Sequence, residues 1–149
     1  MERYGKGLKT VSYLGVFFHN IDNNSRLVIP SIFRESVGQE FVLFKAPDGC
    51  VSVYDKETFD GLLSQVRQFT NTPEGRKKAR TFTRAARNTT QDKQGRFTVP
   101  QDYIEYASLG EGCVITGEGN HLEIWSKAEY ERQQAEDVVT SGSYPDIFY

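Results

Sequence analysis

The sequence predicts an α+β protein built from two similar halves. The phrase "DNNSRLVIP" at residues 22–30 returns as "DKQGRFTVP" at residues 92–100. Each copy reads Asp-x-x-x-Arg, then three residues that favour a strand, then Pro, and each is followed by signals for a short helix, two strands and a longer helix. The repeat covers most of the chain, whose 149 residues suffice for one ordinary domain or two small intertwined halves.

The first half can be followed element by element. The strand "GVFFHNI" leads into the Asp-x-x-x-Arg phrase, and a second strand follows it. Pro30 suits the first turn of a short helix, where its missing N–H is not needed, and Gly38 suits the left-handed end of that helix. Two strands joined by a turn at "PDG" come next, and Asp55 is the expected N-cap of a longer helix.

The second half repeats this order. We expect the short helix "QDYIEYASL" to end at Gly110, and we expect a turn at "GEGN" to join the next two strands. Ser126, with Glu129 three residues later, predicts a capping box for the closing helix.

A basic helix is predicted between the halves. Thr72 and Pro73 supply its cap and first position, and we expect it to run to about Arg87. The predicted organisation is an N-terminal extension (1–12), a first half (13–70), a basic connecting helix (71–88), a second half (89–137) and a C-terminal tail (138–149).

The distribution of charge matters more than its total. The net charge is −2, yet residues 75–91 hold six basic residues and no acid, whereas residue 118 to the end holds seven acids against Lys127 and Arg132. An anionic partner responds to this local field and not to the total.

Composition also indicates where in the cell the protein is expected and what role its two cysteines are expected to have. No apolar run approaches the roughly 20 residues that cross a membrane, so we expect a soluble, cytoplasmic protein. Cys50 and Cys113 lack the spacing of a metal site or a disulfide framework, so we expect two buried free thiols.

The repeated phrase has a physical interpretation as a loop that aims an arginine. Its Asp can accept hydrogen bonds from backbone N–H groups and pair with the Arg four residues later, while Ser25 or Gly95 tolerates a tight turn. An exposed pair contributes only about 0–1 kcal/mol, so its value is orientation. A guanidinium fork suits phosphate oxygens or the O6/N7 edge of guanine, and a two-stranded ribbon fits the major groove. The alternative is a turn with no further role, and the second occurrence favours function.

Four segments together resemble the MraZ family of bacterial transcription regulators, which are associated with the division and cell-wall gene cluster and are built from two SpoVT-AbrB-like halves. They are "HNIDNNSRLVIP", "DGCVSVY", "TQDKQGRFTVP" and "GNHLEIWSKAEYE", in the family's order over residues 13–136. The resemblance implies a tandem AbrB-like swapped-hairpin β-barrel, a pseudo-dimer in one chain, with peripheral helices. It also implies a ring-like homo-oligomer whose loops contact repeated promoter sites in double-stranded DNA.

The resemblance carries the DNA-binding arginine of the family onto Arg26, and its counterpart onto Arg96. Asp22 and Asp92 are then the residues that orient the two loops.

The loops differ from each other in their remaining residues. Where the family often has Lys-Gly, the first loop has Asn24 and Ser25, so it is less basic and its backbone is less free. The second loop keeps Gly95 and carries Lys93, which we expect on a backbone phosphate. We include Asn24 among the DNA-contacting residues.

The basic connecting helix leaves two alternatives open. Arg80, Arg84 and Arg87 either attract DNA at longer range or face acidic residues on a neighbouring chain.

Sequence-specific DNA binding without chemistry is therefore the expected function, with repression by promoter blocking as its output and nucleoid association as its location. The alternative is a protein-interaction or antitoxin-like module. An enzyme is disfavoured, because His19 and His121 lack the spacing of a metal site and the chain has no GxSxG, HExxH or phosphate-cradling glycine loop. We expect no catalytic residue, metal, cofactor, membrane partner or small-molecule substrate.

Overall fold

The structure is a computed structural model that describes residues 12–110, 112–136 and 141–147. Eight β-strands and five α-helices occur in this part of the chain. In the first half these are β1 (Val16–Asn20), β2 (Arg26–Val28), α1 (Arg34–Val37), β3 (Glu40–Lys45), β4 (Val51–Asp55) and α2 (Lys56–Arg67). They continue with α3 (Pro73–Arg84), β5 (Ala86–Thr90), β6 (Arg96–Thr98), α4 (Gln101–Tyr106), β7 (Gly112–Gly117), β8 (Leu122–Ser126) and α5 (Lys127–Glu136). Short 3₁₀ turns occur at Ser31–Phe33 and Ser141–Ser143. The predicted N-terminal extension, except Ser12, and part of the predicted tail lie outside the described residues.

The α+β class and the repeat are confirmed. Each half runs strand, strand, short helix, strand, strand, longer helix, and α3 connects the halves. None of the described helices has the length and apolar character needed to cross a membrane.

The strands pair across the halves. One antiparallel sheet has the order β1-β7-β8-β4-β3-β5, so the first strand of each half pairs with the third strand of the other half. β2 and β6 pair separately as a two-stranded ribbon, called the ribbon below. The predicted closed, swapped-hairpin barrel is not confirmed, because β1 and β5 remain the two edges of the six-stranded sheet within the described residues.

The ribbon and the longer helices cover opposite faces of the six-stranded sheet. Side chains alternate between the faces along a strand, so Phe41 and Phe44 of β3 point in opposite directions. Phe41 packs against Phe97 of the ribbon, with ring centroids 5.4 Å apart. Phe44 packs against Phe59 of α2 at 6.1 Å and Phe82 of α3 at 4.9 Å. The ribbon therefore lies on one side of the sheet, and α2 and α3 lie on the other.

The short helix of each half ends in a residue with positive φ, but the second stop differs from the prediction. Gly38 ends α1 with φ +89°, as predicted. α4 ends at Tyr106, and Ser108, not Gly110, has the positive φ, at +54°. The earlier turn brings the following Leu109 into the core, where it is 6% exposed.

The connecting helix is also shorter than predicted. Thr72 caps it through the N–H of Gly75 at 3.0 Å, as expected, but α3 ends at Arg84 and not at Arg87. The reason is tertiary: Ala86 and Arg87 pair with Phe44 and Leu43 of β3, so the chain must be extended there. Sheet pairing overrides the helical signal of this basic segment.

The other predicted caps are present. Asp55 accepts a hydrogen bond from the N–H of Thr58 at 2.8 Å, and Ser126 accepts one from Glu129 at 3.0 Å. The Glu129 carboxylate accepts hydrogen bonds from Arg132 at 2.6 and 3.0 Å, so among the described residues only the Ser126 half of the expected capping box is formed.

Both cysteines are buried free thiols, as predicted. Burial raises the pKa of Cys50 to about 12 and that of Cys113 to about 11, so neither is a reactive thiolate near neutral pH.

Candidate nucleic-acid interface

The first Asp-x-x-x-Arg loop, residues 22–25, is a tight turn organised by one carboxylate. Asp22 Oδ1 accepts hydrogen bonds from the backbone N–H groups of Asn24 at 2.8 Å and Arg26 at 2.9 Å. Arg26 Nε donates to Oδ2 of the same carboxylate at 2.9 Å. The N–H of Ser25, whose φ is +61°, donates to the Asp22 carbonyl at 3.0 Å and closes the turn.

The second loop, residues 92–95, has the same hydrogen-bond pattern. Asp92 Oδ1 accepts from the N–H groups of Gln94 and Arg96, both at 2.9 Å, and Arg96 Nε donates to Oδ2 at 2.7 Å. Gly95, with φ +82°, takes the place of Ser25. One contact is added, because Arg96 Nη2 also donates to the Gln94 side chain at 3.4 Å.

Both carboxylates are charged at neutral pH. The backbone N–H of Arg26 is the largest cause of the lowered pKa of Asp22, and that of Arg96 has the same effect on Asp92. Because these groups are exposed, their contribution is to fix the loop and the direction of each guanidinium and not to add much stability.

The ribbon brings the two arginines together on one surface. Leu27 pairs with Phe97 in the middle of the ribbon, and both side chains are buried against the sheet. Arg26 pairs with Thr98 and Arg96 with Val28, so both arginines point away from the core, with side chains 33% and 41% exposed. They are diagonal neighbours, a relation that places Cα atoms about 7–8 Å apart.

Each loop joins two different sheets. It connects a strand of the six-stranded sheet to a strand of the ribbon and is not the tip of a hairpin between paired strands. The ribbon is made of one strand from each half, because β2 and β6 have their complementary apolar residues, Leu27 and Phe97, in register.

Of the other predicted DNA-contacting residues, Asn24 and Lys93 are exposed on the first and second loop.

The three predicted electrostatic arginines do not form one patch. Arg80 and Arg84 are exposed on α3, on the far side of the sheet from the ribbon. Arg87 lies on the edge strand β5, where its Nη2 is 3.9 Å from Asp102 and its guanidinium is 5.7 Å from the centre of the Tyr103 ring. Arg87 therefore belongs to the ribbon side and the other two do not.

Sequence reasoning missed a third arginine beside the ribbon. Arg34 Nε donates to the carbonyl of Ile29 at 2.9 Å, and the arginine side chain lies directly on the backbone of Gly95. The only sequence signal is a difference between the halves, since Ile104 occupies the position that matches Arg34.

The two histidines have different neighbours. His121 hydrogen-bonds Asn120 at 2.7 Å and Glu123 at 3.0 Å, and its ring stacks on Tyr54 at 4.7 Å. The pKa of His19 is lowered by burial and then by the charge of Arg34. Within residues 12–110, 112–136 and 141–147, no group of three or more metal-ligating side chains is found.

Comparison with known proteins shows that both halves match the same family model and that several relatives are similar over most of the chain. A family model described as "MraZ protein, putative antitoxin-like" matches residues 13–84 and again residues 82–144. The chain is 36% identical to the "Transcriptional regulator MraZ" of Finegoldia magna, over 91% of this chain and 93% of that protein. It is 37% identical to the protein of the same name from Desulfitobacterium hafniense strain Y51, over 88% of this chain and 94% of that protein. The relative from Desulforamulus reducens is 36% identical over 83% of this chain and 88% of its own length.

Proposed function

This chain belongs to the MraZ family, and on that premise we propose that it is a transcriptional regulator that binds double-stranded DNA through the ribbon and catalyses no reaction. The observation that carries the proposal is the pair of outward-facing arginines, Arg26 and Arg96, on one ribbon, each oriented by its own aspartate. Asp22 and Asp92 each use both carboxylate oxygens to hold one loop and one guanidinium.

The spacing of the two arginines suits a single major groove. A diagonal of about 7–8 Å spans roughly two base-pair steps of about 3.4 Å each, and a two-stranded ribbon fits a groove about 12 Å wide. The Asp22 contact uses Nε of Arg26, and the Nη atoms, which make no hydrogen bond to another described residue, remain available for guanine or phosphate oxygens. Both loops of one chain thus enter the same groove, Lys93 contacts a phosphate, and Asn24 approaches the duplex from the first loop.

Assembly supplies the affinity that one chain lacks. Two arginines make few contacts, so we infer a ring-like homo-oligomer that binds repeated promoter sites through avidity. Large apolar side chains at the surface support self-association: Leu14 is 64% exposed, Phe18 65% and Ile32 70%. The exchange of β1 and β5 between the halves supports an AbrB-like swapped arrangement.

The effect on transcription follows from occupancy of the promoter. A ring on the promoter blocks polymerase, so we propose repression, with the division and cell-wall gene cluster as the target that the family resemblance suggests. The protein then acts in the cytoplasm at the nucleoid.

The decisive experiment compares two double variants of equal charge change. Arg26→Ala with Arg96→Ala removes the ribbon arginines, and Arg80→Ala with Arg84→Ala removes two exposed arginines from the opposite side of the sheet. Fluorescence anisotropy with DNA from upstream of the chain's own gene should show at least about a thirtyfold loss for the ribbon variant, since each base contact contributes about 1–3 kcal/mol. The α3 variant should change affinity far less.

A second candidate function is favoured by the antitoxin-like description of the matching family model. In that case a protein partner, and not DNA, would occupy the ribbon or the acidic helix α5. Gel filtration shows whether both double variants keep the oligomer of the unmodified protein. Unchanged DNA binding by an intact oligomer of the ribbon variant would refute the loop assignment and favour a protein partner.

A further inference from the structure

The two loops have the same turn geometry but different neighbours. From this difference we infer that Arg34 and Lys93 form a site for a backbone phosphate beside the second loop, and that the first loop has no such site. The inference rests on the proposed DNA-binding function and adds to it a residue, Arg34, and an asymmetry between the halves.

Arg34 is fixed in place by the second loop and by the ribbon. Its Nε donates to the Ile29 carbonyl at 2.9 Å, and the N–H of Ile29 donates to the Gly95 carbonyl at 2.8 Å. A side chain on Gly95 would collide with the arginine, because an ideal Cβ there lies 2.3 Å from Arg34 Nε and 2.9 Å from Cζ. The Nη1 and Nη2 atoms of Arg34 make no hydrogen bond to another described residue, so this donor edge is left for a ligand.

A second side chain ties the start of the loop to the helix that carries Arg34. Gln91, which is 7% exposed, donates from Nε2 to the carbonyl of Arg34 at 3.0 Å and to that of Gly38 at 2.8 Å. Asp92 follows Gln91 directly. The second loop and α1 are therefore held together although they come from different halves.

The matching positions of the first loop cannot build this arrangement. Ile104 stands where Arg34 does, Ile21 stands where Gln91 does, and Asn23 stands where Lys93 does. Ser25 replaces Gly95, so a Cβ is present at the place where the second loop admits the guanidinium. The changes depend on one another, because an arginine at position 104 would meet that Cβ.

The charges around the second loop leave an excess of positive potential. A cavity of about 480 Å³ opens between α1 and this loop. Its two acids are Glu35 and Asp92, and the Asp92 carboxylate is already bound by Arg96 Nε and two backbone N–H groups. Arg34 and Lys93 line the same cavity, and Arg96 is adjacent through Asp92. The lining residues are Arg34, Glu35, Gln39, Gln91, Asp92 and Lys93.

A phosphate is the group on DNA that this cavity suits. It lies next to the loop whose arginine faces the groove, where the sugar-phosphate backbone would pass. Arg34 presents a planar donor edge and Lys93 a mobile ammonium group, the two side chains that most often bind phosphate oxygens. Neither is placed to read a base, because the groove-facing position of this half is taken by Arg96.

The test is the salt dependence of binding to DNA from upstream of the chain's own gene. Arg34→Met keeps an unbranched stem over Gly95 and removes the charge, and Lys93→Ala removes the other cation. Each should weaken binding about tenfold at low salt and reduce the slope of log K against log salt by about 0.9, with an unchanged order of preference among DNA sequences. Asn23→Ala, the matched change in the first loop, should leave the slope unaltered.

A purely structural role for Arg34 gives a different result. It would lower affinity in Arg34→Met without altering the slope, and that outcome would overturn the inference. Arg34→Lys, which restores the charge but not the planar fork, should recover the slope. DNA with single methylphosphonate substitutions gives a direct check: one neutralised phosphate should weaken binding of the unmodified protein more than binding of Arg34→Met, which keeps only the Lys93 contact.

Failure of this inference is separable from failure of the proposed function. If Arg26→Ala with Arg96→Ala abolishes binding but Arg34→Met and Lys93→Ala keep the full slope, the phosphate site is wrong and the ribbon assignment stands. If the ribbon variant binds DNA as the unmodified protein does, the ribbon assignment itself is wrong. Circular dichroism and gel filtration of each variant confirm that fold and assembly are retained.

Discussion

Replacing Gly95 by alanine should destabilise the protein more than the same replacement at Gly49. Both glycines have positive φ, +82° and +91°, in tight turns. Their surroundings differ, because nothing lies within 4 Å of a Cβ on Gly49, whereas a Cβ on Gly95 meets Arg34 at 2.3 Å. Gly49→Ala therefore measures the backbone cost alone, and Gly95→Ala adds the displacement of the arginine.

The two costs can be worked out separately. Alanine in the left-handed region costs about 1–2 kcal/mol, and the stiffer unfolded chain returns about 0.4–1 kcal/mol, so Gly49→Ala should cost about 1 kcal/mol. Moving Arg34 breaks its hydrogen bond to the Ile29 carbonyl, and a bond from a charged donor contributes about 1.5–3 kcal/mol. Gly95→Ala should then cost about 2.5–4 kcal/mol.

Urea unfolding measures both values, and it is done at one protein concentration because the apparent stability of a protein that self-associates depends on its concentration. The midpoint should fall in both variants while the slope of free energy against urea stays constant. Equal losses in Gly95→Ala and Gly49→Ala would show that Arg34 does not lie on the second loop as the structure has it. The phosphate site inferred from that contact would then lose its main support.

Three further outcomes are expected. The pKa values of Asp22 and Asp92 are lowered in the folded protein, so their contribution to stability is present above the ordinary aspartate pKa of 3.8 and is lost as the pH falls through the lower folded pKa. Unfolding curves measured from pH 6 to pH 2 should show this loss of stability. Replacing both residues by Asn should make stability depend less on pH over this range. With thiol pKa values of about 12 and 11, Cys50 and Cys113 should react slowly with a thiol reagent at pH 8 and quickly in urea; rapid labelling of the folded protein would contradict their burial. Leu27→Ala should cost about 2–5 kcal/mol in urea unfolding, because this ribbon side chain is 0% exposed, and a cost below about 1 kcal/mol would contradict its packing under the arginines.

Features set by neighbouring residues could be predicted from the sequence. The turns at "PDG" and "GEGN" occur as expected, with positive φ at Gly49 and Gly119, because glycine adopts that conformation without steric cost. The Asp-x-x-x-Arg loops also follow from local chemistry, since the carboxylate binds N–H groups two and four residues along the chain. Residues this close in sequence meet whatever the rest of the fold does.

Features set by distant partners could not be predicted in the same way. The pairing of β2 with β6 depends on a register between Leu27 and Phe97, and no local signal distinguishes it from a hairpin within each half. The end of α3 is set by β3, which pairs with Arg87 and makes the chain extended there. Arg34 was missed for the same reason: its partners, the Ile29 carbonyl and the Gly95 backbone, include a residue from the other half.

A duplication within one chain explains how the candidate site can be symmetric in one respect and asymmetric in another. Two identical chains that paired through the ribbon would place the same side chains beside both loops. In a single chain the two halves can carry different residues at matching positions, so Arg34 and Gly95 lie at the second loop while Ile104 and Ser25 hold the matching positions of the first. The turn that aims the arginine is kept in both halves because each needs its own carboxylate, and only the surroundings differ. Because an asymmetric ribbon has a direction, we expect it to bind a non-palindromic DNA repeat in one orientation only. Footprints of the protein on such a repeat should therefore place the second loop at the same end of every site.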